Sequence, residues 1–171
     1  MERIAEFQKV SFERFKEDFS PLFPEYDENK IKEIYGSIQL PSRATSGSAG
    51  YDFRSPVGFT LKPNETINIP TGIRVKMESG WFLAVFPRSG LGFKYRLQLN
   101  NTVGIIDSDY YGSKNEGHIF IKMTNATNEG KFIQLEAGDG FAQGIFLPFG
   151  ITKNDECENV RDGGFGSTDS K

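Results

Sequence analysis

Three short segments of the chain carry residue types that could bind phosphate or activate water. In the first, an apolar run at residues 81–86 is followed by Pro87 and then by Arg88, Ser89 and Gly90. They combine a guanidinium, a hydroxyl and an open backbone N–H group, which are the donors that phosphate oxygens accept. The segment predicts an anion-binding loop, although an ordinary strand-to-loop turn would use the same residues.

The second segment brings an aspartate against apolar residues. Ile105 and Ile106 run directly into Asp107, so this carboxylate is expected to be partly desolvated and suited to act as a general base. Tyr110 and Tyr111 follow and could form a flat wall against a ring-shaped substrate. A simple Asp-Ser-Asp turn between two strands is the alternative interpretation.

The third segment lies in the glycine-rich C-terminal tail, where Arg161 precedes Phe165, Gly166 and Ser167. Its likeness to a phosphate-binding P-loop is superficial, because no strand is predicted before it and no lysine follows the glycines. We expect this tail to fold over an aromatic ligand, with Arg161 at its phosphates. A disordered terminus is the alternative.

Composition and charge exclude several classes of function. The chain has 171 residues, with 20 Lys or Arg and 23 Asp or Glu, which predicts one domain with an appendage and no surface for a nucleic-acid polymer. Cys157 and His118 are the only residues of their types, which argues against a zinc site or a disulfide. His118 is expected to be structural or at the surface, and Cys157 is assigned no chemistry. Without an apolar run of membrane-spanning length or a secretory signal, a cytoplasmic protein with no membrane partner is expected.

The first part of the chain is predicted to be a helical N-terminal extension, residues 1–35, packed on the main body. All 19 glycines lie at position 36 or later, whereas these 35 residues carry seven aromatic and 15 charged side chains. A phenylalanine stripe predicts one helix, with Ser11 as its N-cap and its end at Ser20, and Asp27 is the predicted N-cap of a second helix over residues 28–35. The stripe consists of Phe12, Phe15, Phe19 and Phe23. The extension is a structural addition or, alternatively, an element that binds a partner.

From Gly36 onward the hydrophobic period changes to two, which is typical of β-strands. Apolar residues alternate over residues 57–61, 67–77 and 119–123, and turn clusters separate these runs. Many short strands with frequent turns predict an all-β barrel or jelly-roll. We therefore predict a β core over residues 36–155 and a flexible C-terminal arm over residues 156–171.

Five motifs, in order and at family-like spacing, give the chain a specific resemblance to the trimeric deoxyuridine triphosphatases, the dUTPases. The motifs are residues 49–53 (AGYDF), 87–92 (PRSGLG), 104–110 (GIIDSDY), 138–143 (GDGFAQ) and 163–168 (GGFGST), the last preceded by Arg161. The chain departs from the family pattern in several places, including the fifth motif and the segment after the third. One residue, where the family usually has two, separates Arg161 from Gly163, and residues 113–117 resemble a small insertion.

The resemblance implies an all-β, distorted jelly-roll of the β-clip type that forms a homotrimer with shared active sites. It implies hydrolysis of dUTP to dUMP and pyrophosphate, assisted by Mg²⁺, a reaction that limits uracil incorporation into DNA and supplies dUMP. In this pattern Asp107 activates the attacking water, and Asp52 holds Mg²⁺ through a water molecule or is only a structural turn aspartate. The ring of Tyr110 would leave no space for a ribose 2′-hydroxyl.

The resemblance also implies a set of substrate contacts. The phosphates would be bound by Arg88, Ser89, Gly90, Gln143 and Arg161. The uracil edge would be read by Asn101 and by the main chain from Gly104 to Ile106. The C-terminal motif would close the site, with Phe165 stacked on the base beside Gly166 and Ser167.

The sequence leaves two other functions open. A dCTP deaminase would share the fold, but its chemistry needs a glutamate near the position of Lys122, where the sequence has no carboxylate. The second alternative is a catalytically inactive binding protein, against which the presence of Asp107, Arg88 and Phe165 argues.

Overall fold

The computed structural model describes residues 2–157. Its strands are β1 (Ala5–Lys9), β2 (Ser42–Arg43), β3 (Tyr51–Arg54), β4 (Phe59–Leu61), β5 (Thr66–Pro70), β6 (Ile73–Met77), β7 (Trp81–Pro87), β8 (Leu97–Leu99), β9 (Gly104–Asp107), β10 (Phe120–Asn125), β11 (Ile133–Leu135) and β12 (Gly140–Pro148). Its helices are α1 (Phe12–Phe19), α2 (Glu28–Ser37), α3 (Ser89–Tyr95) and a 3-10 helix, Ser108–Gly112. The predicted all-β, distorted jelly-roll is confirmed.

The strands form open antiparallel sheets around one core. The largest sheet has the order β2-β3-β12-β7-β9, and a second sheet has the order β5-β10-β8. Two further pairs, β11-β4 and β1-β6, complete the described strands. Strand β7 lies between β12 and β9, so it separates β3 and β12 on one side from β9 on the other.

The core lies between these sheets and follows from the alternation of apolar residues along the strands. On β7, whose sequence is apolar throughout, Leu83, Ala84 and Val85 are buried. Burying a side chain of the size of Leu83 or Val85 contributes about 1.5–3 kcal/mol. Other fully buried side chains are Phe53, Ile69, Ile119, Ile121, Met123, Ile133 and Phe141.

The N-terminal extension contains both predicted helices and also a strand. Ser11 and Asp27 cap α1 and α2 by accepting hydrogen bonds from backbone N–H groups, as predicted. Phe15 and Phe19 are 0% exposed and belong to the same hydrophobic cluster as the sheet residues. The expectation of a purely helical extension was wrong for β1, which pairs with β6. The extension therefore joins the body through both backbone pairing and aromatic packing.

The segment that follows β7 also differs from the predicted loop. Residues from Ser89 form helix α3, which ends at Arg96 in the left-handed conformation with φ of 54°.

Within residues 2–157, no helix combines the length and the apolar character needed to cross a membrane.

Candidate active site

An arginine cluster, composed of Asp52, Arg88, Gln143 and the start of α3, forms where β3, β12 and β7 lie side by side. Asp52 pairs with Gln143 across β3 and β12, and Gln143 pairs with Phe86 across β12 and β7. This register brings three sequence motifs together although they are far apart in the chain. The Arg88 Nε lies 3.4 Å from the Asp52 Oδ1, and the Gln143 side-chain amide donates to the Pro87 carbonyl at 3.2 Å.

Two glycines leave the room that these side chains occupy. A Cβ atom on Gly50 would lie 2.6 Å from the Oε1 of Gln143. A Cβ atom on Gly140 would lie 2.8 Å from the Nη1 of Arg88 and 3.0 Å from its Cδ. Contacts of 2.6 and 2.8 Å are shorter than real Cβ atoms make, so a larger residue at Gly50 would displace the Gln143 side chain and one at Gly140 would displace that of Arg88. The glycines of the first and fourth motifs therefore have a positioning role.

The start of α3 adds backbone donors to the arginine cluster. Arg88 is the N-cap residue of α3, with no side-chain cap hydrogen bond, and Ser89 and Gly90 form its first turn. The first N–H groups of a helix have no partner within the helix. Arg88, Ser89 and Gly90 are all exposed, so a guanidinium, a hydroxyl and N–H groups face solvent at one place.

A second feature is the hairpin cavity, which lies between β8 and β9. These consecutive strands belong to different sheets, since β8 pairs with β10 and β9 pairs with β7. The hairpin is therefore split and encloses a cavity of about 490 Å³. Of the residues with predicted base contacts, Asn101, Gly104 and Ile106 line this cavity. Val85, Leu99 and Phe120 supply apolar walls.

Strand β9 has an open edge beside the hairpin cavity. It is the last strand of its sheet, so alternate residues turn their main-chain N–H and C=O groups away from β7. Gly104 and Ile106 are buried on one face, whereas Ile105 is 51% exposed on the other. An edge of this kind can read the hydrogen-bonding pattern of a planar base.

Asp107 is the last residue of β9, and the tyrosines follow in the 3-10 helix. The Asp107 side chain is half-buried, next to the buried Ile106. Tyr110 is 4% exposed, and its hydroxyl donates to the carbonyl of His118 at 2.8 Å. The guanidinium of Arg74 stacks on Tyr111, with 3.6 Å between its Cζ and the ring centroid.

The arginine cluster and Asp107 lie at opposite ends of β7. Asp107 pairs with Phe82 near the first residue of the strand, whereas Arg88 directly follows Pro87, its last residue. Antiparallel strands rise about 3.4 Å per residue, which puts Phe82 and Arg88 about 20 Å apart. The Arg88 side chain also turns towards Asp52, on the side of β7 opposite to β9. A triphosphate is much shorter than this separation between the two backbone positions.

Comparison with known proteins places this arrangement in a family. The dUTPase family model matches residues 36–169. The chain belongs to the dUTPase family. The match begins where the composition changes and covers all five motifs, and the N-terminal extension precedes it.

Individual relatives support this assignment. The chain is 42% identical to the deoxyuridine 5′-triphosphate nucleotidohydrolase of Lactococcus lactis subsp. lactis (strain IL1403) over 134 residues, which cover 77% of this chain and 88% of the relative. It is 40% identical to that of Haemophilus influenzae (strain PittEE) over 141 residues, covering 78% and 89%.

Solved structures show the same fold. The crystal structure of dUTPase from Streptococcus mutans matches with a TM-score of 0.62 and 35% identity, over 85% of this chain and 97% of that one. A mutant dUTPase from phage phi11 of S. aureus, described with a structural Mg(II) ion, matches with a TM-score of 0.61 over 92% and 98%, at 21% identity.

The arginine cluster of this dUTPase-family chain contains one carboxylate that could contact a Mg²⁺ ion. Among residues 2–157, no group of three or more His, Cys, Asp and Glu side chains could hold a metal. Asp52 is the carboxylate of the cluster, and its side chain is 20% exposed. Mg²⁺ commonly uses one or two carboxylates, substrate phosphates and several waters. Asp52 therefore fits an ion that the nucleotide brings with it.

Sequence reasoning underestimated one wall of the hairpin cavity. Asn68 and Lys122 pair across β5 and β10 and line the cavity together with Asn100. Lys122 alternates with the buried Ile121 and Met123, a pattern that marks it as facing the other side of the strand. None of the described residues that line the cavity is acidic.

Four of the predicted substrate contacts lie outside the described residues. They are Arg161, Phe165, Gly166 and Ser167. The roles assigned to them by resemblance to the dUTPases stay predictions.

Proposed function

We propose that this protein hydrolyses dUTP to dUMP and pyrophosphate. The observation that carries the proposal is the split hairpin, whose cavity is lined by Asn101, Gly104 and Ile106. Asp107 directly follows Ile106 as the last residue of β9. Such a cavity suits a planar base with a carboxylate at the sugar-phosphate end. Membership of the dUTPase family and relatives named as nucleotidohydrolases of deoxyuridine 5′-triphosphate support the same substrate.

Asp107 is the proposed general base. Its carboxylate accepts a proton from a water molecule while the water oxygen attacks the α-phosphorus in line. The bond from the α-phosphorus to the oxygen bridging to the β-phosphorus then breaks, and pyrophosphate leaves with that oxygen. The position of Asp107 supports this role, because the side chain is half-buried at the end of a strand whose preceding residue, Ile106, is buried. A positioned general base contributes about 10²–10⁴-fold to such a reaction.

The leaving pyrophosphate carries the charge that develops, and the arginine cluster is proposed to neutralise it. Arg88 supplies charged donors, Ser89 and Gly90 supply the hydroxyl and N–H donors of the first turn of α3, and Gln143 adds an amide. Arg161 is proposed to join them. Preorganised donors of this kind stabilise charge in a phosphoryl-transfer transition state. Mg²⁺, held through water by Asp52, supplies further charge neutralisation of the triphosphate when it is bound.

Selection of deoxyuridine is proposed to depend on two rejections. The ring of Tyr110 packs under the sugar and leaves no room for a ribose 2′-hydroxyl. Asn101 and the main chain of Gly104 and Ile106 pair with the uracil edge. Bound cytosine would cover these polar groups and leave them unpaired, which is costly. Phe165 is proposed to stack on the base and, with Gly166 and Ser167, to exclude water.

We propose that the active site is shared between chains of a homotrimer. The separation of about 20 Å along β7 supports this, because it is much longer than a triphosphate. In a ring of identical chains, the arginine cluster of one chain can meet the hairpin cavity of the next. The number of chains rests on the resemblance to trimeric dUTPases.

The direct test is an assay of pyrophosphate release by the purified protein with dUTP, dCTP, dTTP and UTP. Turnover of dUTP alone is expected. Ammonia release from dCTP would identify a deaminase instead. Binding of dUTP without turnover in the presence of Mg²⁺ would indicate an inactive binding protein.

A further inference from the structure

The N-terminal extension touches the segment that carries the tyrosines through a buried histidine. His118 is 0% exposed, and its Nδ1 lies 2.6 Å from the Oδ2 of Asp18 on α1. The other ring nitrogen, Nε2, accepts the backbone N–H of Gly72 at 2.8 Å. Because Nε2 must be the acceptor, Nδ1 carries the proton and donates it to the carboxylate.

Asp18 is itself held in place on α1. Arg14 donates to both of its oxygens, at 2.7 and 3.0 Å, and the side chain of Asp18 is 15% exposed. On the same helix, the ring of Phe15 lies against that of His118, with 6.2 Å between the centroids. The imidazole is therefore fixed by an ion-paired carboxylate, a backbone N–H and an aromatic ring.

The same histidine holds Tyr110 through its main chain. The carbonyl oxygen of His118 accepts the Tyr110 hydroxyl at 2.8 Å. The side-chain amide of Asn115 donates to that hydroxyl at 2.7 Å and lies 3.4 Å from the His118 carbonyl. A hydroxyl with two such bonds cannot move without breaking them, so the position of the Tyr110 ring depends on where His118 sits.

A second set of contacts joins the extension to the residues around Tyr110. The backbone N–H and the hydroxyl of Ser11 both donate to the carboxylate of Glu116, at 2.8 and 2.7 Å. The hydroxyl of Tyr111 donates to the side-chain oxygen of Gln8 on β1 at 2.8 Å. Glu116 and Asn115 both belong to the insertion at residues 113–117. The extension and the insertion thus contact each other around the 3-10 helix.

We propose that the N-terminal extension is a positioning element of the nucleotide site, in which Asp18, acting through His118, fixes the Tyr110 ring and so sharpens the rejection of a ribose 2′-hydroxyl. This inference rests on the proposed function. Asp18 and His118 are positioning residues because both act through Tyr110. Steric rejection depends on distances of a fraction of an ångström, so the residues that lock a ring in place contribute to selectivity.

Two variants break the link at different points. His118→Gln keeps a side-chain oxygen that can accept the Gly72 N–H, but it removes the imidazole ring, which packs against Phe15 and fixes the direction of the bond to Asp18. Asp18→Ala leaves His118 intact and removes its partner. Glu17→Gln is the matched control, because Glu17 also pairs with Arg14 on α1, at 2.8 Å, and is 66% exposed.

The measurement is kcat/KM for UTP divided by kcat/KM for dUTP. Partial unfolding lowers both values equally and leaves the ratio unchanged, so the ratio separates positioning from a purely structural role. We expect Asp18→Ala and His118→Gln to raise it on the order of tenfold, within the range by which remote residues alter coupling. The Glu17→Gln variant should keep the wild-type ratio.

Tyr110→Phe tests whether the effect passes through the hydroxyl. This variant keeps the ring and removes the bond to the His118 carbonyl, so adding Asp18→Ala to it should change the ratio little further. Two results would overturn the inference while dUTP hydrolysis stands. One is an unchanged ratio in Asp18→Ala, and the other is an equal rise of the ratio when Asp18→Ala is introduced with Tyr110 or with Phe at that position. A wild-type protein that does not hydrolyse dUTP would overturn the proposed function and this inference together.

Discussion

The Nε of Arg88 lies 3.4 Å from the Oδ1 of Asp52, and the two side chains are 46% and 20% exposed. A partly exposed pair at this distance contributes little to stability. The guanidinium can therefore turn from the carboxylate to a triphosphate, which leaves the carboxylate available for a hydrated cation. The pair links the proposed phosphate site and the proposed Mg²⁺ site before substrate binds.

Asp52→Asn should raise the Mg²⁺ concentration needed for half-maximal activity and leave thermal stability within about 1 kcal/mol, as expected for the loss of one exposed ion pair. Titration of Mg²⁺ at saturating dUTP measures the first effect, and thermal unfolding measures the second. An unchanged Mg²⁺ dependence would show that Asp52 has only a structural role within β3.

Gly140→Ala should weaken substrate binding by displacing Arg88. The added Cβ would lie 2.8 Å from the Nη1 of Arg88, and the flexible guanidinium can move aside, so the fold should be kept. We expect KM for dUTP to rise on the order of tenfold, since a bond between charged groups contributes about 1.5–3 kcal/mol. Gly47→Ala is the control, because a Cβ there meets nothing within 4 Å. Equal kinetics in the two variants would remove Arg88 from the phosphate site.

Asp107→Asn should preserve the fold and the binding of dUTP but lower kcat by about 10²–10⁴-fold, because an amide cannot accept the proton of the attacking water. Asp109→Asn is the control, since Asp109 lies in the 3-10 helix two residues further along. Steady-state kinetics and equilibrium dUTP binding separate the two effects. Near-normal kcat in Asp107→Asn would mean that another group is the base.

The contacts of the extension should weaken in acid. Burial alone would raise the pKa of Asp18, but hydrogen bonds from His118 and Arg14 outweigh it and hold this pKa below its ordinary value of 3.8. Burial alone would also raise the pKa of Glu116. The hydrogen bonds from Ser11 and the charges of Arg74 and Arg14 outweigh burial and hold this pKa below its ordinary value of 4.5.

Folding lowers the pKa of both carboxyl groups, so their ionised forms stabilise the folded protein. This stabilisation is complete at a pH above their ordinary pKa values, and it is lost as the pH falls through their lower pKa values in the folded protein. Amide hydrogen exchange across α1 should therefore be constant from pH 7 to about pH 5, after correction for intrinsic rates, and show lost protection below about pH 4. A variant carrying Asp18→Asn and Glu116→Gln should show much less change with pH. The same acid response in that variant would assign it to other groups.

Local sequence patterns correctly predicted helices and strands whose residues repeat with a clear hydrophobic period. The spacing of Phe12, Phe15 and Phe19 and the cap at Ser11 specify α1, and alternation specifies strands such as β6 and β10. Strand β1 was missed because its five residues, AEFQK, contain one large apolar side chain. Its strand character depends on pairing with β6, almost 70 residues away, which no local period reveals.

The candidate site was predictable as a set of residues and not as an arrangement. The motifs identify Asp107 and Arg88, but their places at opposite ends of β7 follow from the register of β9 and β12 on that strand. The bond between Asp18 and His118 joins residues 100 positions apart. A single histidine in a sequence gives no sign of its partner, so sequence reasoning assigned it no specific role.

The opposite positions of Asp107 and Arg88 on β7 lead to a test of the shared active site. Asp107→Asn and Arg88→Gln chains should each form nearly inactive trimers. Suppose that each site combines Asp107 of one chain with Arg88 of the next. After random co-refolding of equal amounts, the chain that supplies Asp107 has that residue intact in about half of the sites, and the same holds independently for Arg88. About one quarter of the sites then contain both groups. The mixture should therefore far exceed the activity of either parent. Native mass spectrometry verifies that the chains have mixed. A mixed population no more active than its parents would mean that both residues act within one chain, contrary to the separation along β7.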